Sequence, residues 1–130
     1  MVESKKENDE NVKLVHEVYP RLFISSVRPA RDPVVIETLG ITHVLCLIPT
    51  NYQRDHKEVK YLKFDEIQDD SAQQLLSYFS KSNKFIHDAL AENESNKVLV
   101  HCAAGISRSS SFCCAYMISH GKMKLNDALD

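Results

Sequence analysis

No apolar run in this sequence approaches the length of a membrane span, and the polar N-terminus has no signal-peptide core. Polybasic tracts are missing too. A net charge of −2 provides no electrostatic footprint for nucleic acid or for an anionic lipid surface. The four cysteines, at positions 46, 102, 113 and 114, have no Cys-x-x-Cys spacing. Neither a zinc site nor a secreted disulfide framework is therefore indicated, and a reducing compartment, cytoplasmic or nuclear, is expected. Internal repeats are absent. Glycine occurs only three times, at 40, 105 and 121, and each has a reading as a helix stop or a tight loop.

What is present is ordinary for one globular domain. The 130 residues are 43% apolar and 26% charged, enough for one core and not for two. Residues 1–11 are mostly Glu, Lys, Asn and Asp with little to bury, so a mobile tail is expected before a domain over 12–130. Strands are expected at Leu14–Tyr19, Leu22–Ile24, Thr42–Ile48, Tyr61–Phe64 and Lys97–Val100, with a turn from Pro29 to Asp32. Pro33 suits the first turn of a helix that Gly40 stops. Leu75, Leu76, Phe79, Ile86 and Leu90 recur at helical spacing over about 72–92. Alternation of strands and helices predicts an α/β fold, a mostly parallel central sheet flanked by helices on both faces. Ligands of such sheets bind beyond the carboxyl ends of the strands.

Chemistry concentrates at His101-Cys102-Ala103-Ala104-Gly105-Ile106-Ser107-Arg108-Ser109. A buried strand precedes this stretch, and Ser110–His120 reads as a helix stopped by Gly121. The first N–H groups of a helix lack intrahelical partners and carry the positive end of its macrodipole, which makes an anion site. Gly105 lets the loop turn its amides inward, and Arg108 adds a fork able to hold two phosphate oxygens. Such surroundings bring a thiol from about 8.5 to about 3.5–7.5. Cys102 is expected as a thiolate aimed at phosphorus. Taken singly, each residue has a plainer reading, a buried structural cysteine beside a surface arginine. Their coincidence after a strand does not.

This pattern resembles the signature loop of the cysteine-dependent protein phosphatases and is most similar to the dual-specificity branch, in a small, atypical form. The likeness runs from about Val15 to Asp130. It implies a protein-tyrosine-phosphatase-like fold, no metal or cofactor, and a phosphorylated protein as substrate. Phosphate would lie on Ala103, Ala104, Gly105, Ile106, Ser107 and Arg108. Cys102 would be the nucleophile, with Ser109 bonded to its sulfur and His101 organising the loop rather than acting as a base. The family's general acid is an aspartate before the helix that carries an aromatic pair. Counting back from Tyr78-Phe79 gives Asp69, with Asp70 next; counting forward from Tyr61 gives another register, because this loop is one residue longer than usual. For Asp70 the better reading is a helix-start charge. The family's closing helices are short or missing after Lys122, where Lys124 stands in place of a cap. Either the chain is truncated or a partner covers that face. Two rival readings are a phosphoprotein-binding module without catalysis and a phosphoinositide or nucleic-acid 5′-phosphatase. Small or apolar Ala103, Ala104 and Ile106 lower the phosphoinositide reading, since such relatives often carry lysines there. Cys46 is expected on a strand that neighbours Cys102, close enough for a protective disulfide to be considered.

Overall fold

Pro33 and Gly40 set out a helix before any tertiary contact is considered, and a computed structural model of the chain places it there. The structure describes residues 10–48, 58–64, 72–102 and 107–120, the side chains of 72–75 and 107 excepted. Among the described residues, five strands and four helices follow a helical turn at residues 10–13: β1 His16–Tyr19, β2 Leu22–Ser25, α1 Val27–Ala30, α2 Pro33–Leu39, β3 His43–Cys46, β4 Lys60–Lys63, α3 Ala72–Glu92, β5 Val98–His101 and α4 Ser107–Ser119. The expected tail falls almost wholly outside the described residues; its last member, Asn11, is buried and donates from Nδ2 to Asp32 Oδ2 at 3.1 Å.

Local chemistry explains α2. Asp32 accepts a hydrogen bond from the Val34 N–H at 3.0 Å, Pro33 occupies the first turn, and Gly40 adopts φ 71°. Ile41 N–H then reaches back to the Ile36 carbonyl at 3.0 Å and closes the end. The stretch from Pro29 to Asp32, read as a turn, is partly helical instead. Pro29 sits inside α1, whose four residues are too short for its missing N–H to cost an internal bond.

The sheet order is β1-β2-β5-β3-β4. Among the described strands β1 alone runs antiparallel, joined to β2 by a tight turn at Pro20-Arg21, while β2, β5, β3 and β4 are mutually parallel. Arg21 holds φ 67°, a left-handed value that disfavours side chains. Its guanidinium offsets that strain by donating to the carbonyls of Leu90, Asn93 and Asn96 at 2.9–3.2 Å, which ties the hairpin to the end of α3. β5 is central, and Val98, Leu99 and Val100 are all fully buried, as a strand covered on both faces requires.

Side chains alternate across β5. Val98, Val100 and Cys102 join Leu45, Leu47, Ile86, Phe112 and Met117 in the core beneath α3 and α4. Leu99 and Val44 join Phe23, Ala30 and Ile36 beneath α1 and α2. The architecture is thus a mostly parallel sheet with helices on both faces. Phe112 of α4 is fully buried and meets Phe79 edge-on, ring centres 4.8 Å apart, with Phe64 6.2 Å away. This aromatic cluster fixes the N-terminal half of α4, and with it the residues that enter the site. No helix among the described residues is long and apolar enough to cross a membrane.

Candidate active site

The site lies where the central strand ends. His101 is the last residue of β5, Cys102 follows it, and α4 starts at Ser107. Strand, short connection and helix N-terminus are therefore in the expected order. Ala103, Ala104, Gly105 and Ile106, the Ser107 side chain, and both Asp69 and Asp70 lie outside the described residues.

Cys102 and Ser109 are brought together. The Cys102 Sγ lies 3.1 Å from the Ser109 Oγ, shorter than a typical sulfur hydrogen bond, and both residues are buried. Cys102 keeps 6% exposure, a deeply set sulfur that is not fully sealed. Arg108, one residue earlier on the first turn of α4, is half-buried. Ser109 also donates towards the Ser25 carbonyl at the end of β2, 3.5 Å away. Its one hydrogen thus has two acceptors. When the sulfur is anionic the hydrogen is drawn to it, because charged acceptors bind about twice as strongly as neutral ones. Ser25 was not singled out from the sequence. A serine at a strand end carries no signal, and its carbonyl meets Ser109 only through the pairing of β2 with β5.

His101 is fully buried and its Nδ1–H donates to the Cys102 carbonyl at 3.3 Å. Burial pushes its pKa down to about 4; the Cys102 carbonyl opposes this and the Lys63 cation adds to it. The ring is therefore neutral at pH 7 and spans the backbone at the start of the loop. The unfolded chain binds a proton to this histidine near 6.5 and the folded chain only near 4. Stability from this group is thus complete above pH 6.5 and is lost as pH falls towards 4. Between pH 7 and 4.5 the loss should be about 2–3 kcal/mol. Urea unfolding of the wild type and of His101→Asn checks this: the variant should lose less stability over that interval. Equal losses would assign the acid sensitivity to other groups.

The other cysteines are set apart from Cys102. Burial pushes the Cys113 and Cys114 thiols up, so both remain protonated and pack as small apolar groups. Cys46 pairs in register with His101, not Cys102. Residues in register on adjacent strands share a face and successive residues alternate, so Cys46 and Cys102 point to opposite sides of the sheet. Cys46 instead donates from Sγ to the Ile48 carbonyl at 3.3 Å. The expected neighbouring strand is right, and a Cys46–Cys102 disulfide is not what it provides.

The described residues thus bring a cysteine at the end of a central parallel strand to a serine on the first turn of the next helix, with an arginine immediately before that serine. The family model described as "Dual specificity phosphatase, catalytic domain" matches residues 22–130, and the chain belongs to that family. It is 40% identical over 113 residues to the tyrosine-protein phosphatase yvh1 of Schizosaccharomyces pombe, covering 87% of this chain and 33% of that protein. Among solved structures it resembles human tyrosine phosphatase-like serine/threonine/tyrosine-interacting protein, with TM-score 0.74 and 32% identity over 88% of this chain and 79% of that one. It also resembles a mouse dual specificity phosphatase complexed with zinc tungstate, with TM-score 0.77 and 27% identity over 88% and 70%. The chain spans about a third or less of the length of the first curated relatives it matches.

Proposed function

We propose that the domain, taken as residues 12–130, is a phosphomonoesterase that removes phosphate from phosphotyrosine and from phosphoserine or phosphothreonine in proteins. The observation that carries this reading is the 3.1 Å approach of Ser109 Oγ to Cys102 Sγ at the end of the central strand. A serine so placed stabilises a sulfur anion, which a structural thiol does not need.

In the first step the Cys102 thiolate attacks phosphorus and an S–P bond forms while the bond to the ester oxygen breaks. Asp69 gives its proton to that oxygen, so the leaving group departs neutral. In the second step Asp69, now a carboxylate, takes a proton from water, and the water oxygen attacks phosphorus. The S–P bond breaks, and the returning thiolate is met by the Ser109 hydroxyl. Arg108 and the amides from Ala103 to Ser107 hold the non-bridging oxygens in both steps. Neutral His101 keeps the start of the loop in shape through the Cys102 carbonyl. The steps balance with side chains and water, and no cofactor is assigned.

The mouse relative was solved in complex with zinc tungstate, whose tungstate is a tetrahedral oxyanion of phosphate's shape, in keeping with a phosphate ligand here. Small or apolar Ala103, Ala104 and Ile106 favour phosphoproteins over substrates bearing several phosphates. A thiolate enzyme works in a reducing compartment, which supports the cytoplasm or nucleus. A phosphate-release panel tests the substrate class. Release from phosphotyrosine and phosphothreonine peptides is expected to exceed release from phosphoinositide vesicles or 5′-phosphorylated RNA. Release confined to lipid or RNA would overturn the reading.

A further inference from the structure

Two histidines that take no part in the site above face each other across the α3–α4 packing. His87 lies on α3, and His120 directly follows α4, its N–H continuing the helical ladder to the Tyr116 carbonyl at 2.8 Å. Their ring centres are 4.9 Å apart and both are exposed. His120 is held in place: Tyr116 stacks flat against it, 5.2 Å between centres and 4° between planes. Its Nδ1 lies 2.8 Å from the Ser119 hydroxyl.

We propose that His87 and His120 form a two-point site for a divalent transition-metal ion, zinc being the fitting example, which links α3 to the end of α4. Imidazole nitrogen binds zinc at about 2.0–2.1 Å and lies roughly 1.1 Å from its ring centre, so two rings on one tetrahedral ion have centres about 5 Å apart. The observed separation meets that requirement without backbone movement; His120 is held by Tyr116 and Ser119, and exposure leaves the His87 ring free to turn a nitrogen towards it. Ser119 supplies the outer support a ligating histidine needs. When Nδ1–H donates to its hydroxyl, Nε2 is left with a lone pair for the metal. His87 has no hydrogen-bond partner among the described residues, so binding an ion breaks nothing there. No third His, Cys, Asp or Glu converges among the described residues, so water completes the coordination shell and the ion is exchangeable. The site sits at the end of α4 remote from Arg108, about 18 Å along the helix, and therefore acts on helix packing, not on the phosphoryl group.

Zinc titration tests this in the Cys102→Ser form, which removes the deep-set sulfur as a competing ligand. One equivalent of zinc should bind, and at about ten times its dissociation constant the thermal midpoint should rise by about 4–8 °C. Magnesium, which prefers oxygen ligands, should give no shift. His87→Ala and His120→Ala should each weaken zinc binding at least tenfold and, with Cys102 restored, leave aryl-phosphate hydrolysis unchanged; His87→Ala should also leave the metal-free midpoint unchanged. His120→Gln repeats the test with a side chain that keeps more of the packing against Tyr116. No shift with zinc, or a shift retained in both histidine variants, would overturn the proposal. Loss of aryl-phosphate hydrolysis alone would bear on the catalytic reading and not on this one.

Discussion

Cys102→Ser is expected to lower aryl-phosphate turnover by about 10⁴-fold or more while the fold persists. Oxygen replaces sulfur in a buried position whose neighbour is already the Ser109 hydroxyl, 3.1 Å from the sulfur, so the new side chain finds a hydrogen-bond partner. Nothing in the core beneath α3 and α4 must move. A serine hydroxyl, however, stays protonated at neutral pH and is a far weaker nucleophile than a thiolate. The buried His101 ring is turned to the backbone through its Nδ1. Steady-state hydrolysis with a matched thermal melt measures this. A loss below tenfold with an intact melt would remove Cys102 from the chemistry. Equal inactivity of the wild type and Cys102→Ser, with a phosphopeptide still bound, would favour the binding module.

Asp69→Asn is expected to have the next largest effect. Loss of a general acid costs about 10²–10⁴-fold, and the loss should depend on the leaving group. Phosphoserine, whose alkoxide leaves poorly, should suffer most; an activated aryl phosphate, whose phenoxide needs no proton, should suffer least. The pH profile should also lose its alkaline limb, since that limb reports deprotonation of the acid. Asp70→Asn should change neither by more than a few-fold. The reverse ranking would place the acid at Asp70, one residue nearer the helix.

Local signals in the chain were enough for several elements. Pro33 and Gly40 delimit α2 over Pro33–Leu39, and helical spacing delimits α3 over Ala72–Glu92. These features act within one or two turns of chain, so they can be read directly. Strands were legible in place but not in their ends: Leu14–Tyr19 and Thr42–Ile48 were read too long, because β-propensity continues past the residues that actually pair, Leu22–Ile24 one residue short, and Tyr61–Phe64 and Lys97–Val100 one residue out of step. The initial Leu14–Tyr19 reading shortens to His16–Tyr19, where the ladder with β2 begins. The stretch His101–Ser109 was legible as a candidate site because its residues are successive in sequence.

Other features depended on contacts between distant segments. The chain alone determined that a cysteine, an arginine and a serine stand at the end of a strand and the beginning of a helix. Tertiary structure decided that this strand is the sheet's centre, that Ser25 presents its carbonyl to Ser109 from 84 residues away, and that Cys46 faces the opposite layer. It also set His87 against His120. The reason is physical: backbone preference is fixed by near neighbours, whereas strand order and helix packing follow from which apolar faces can be buried together, a property of the whole fold.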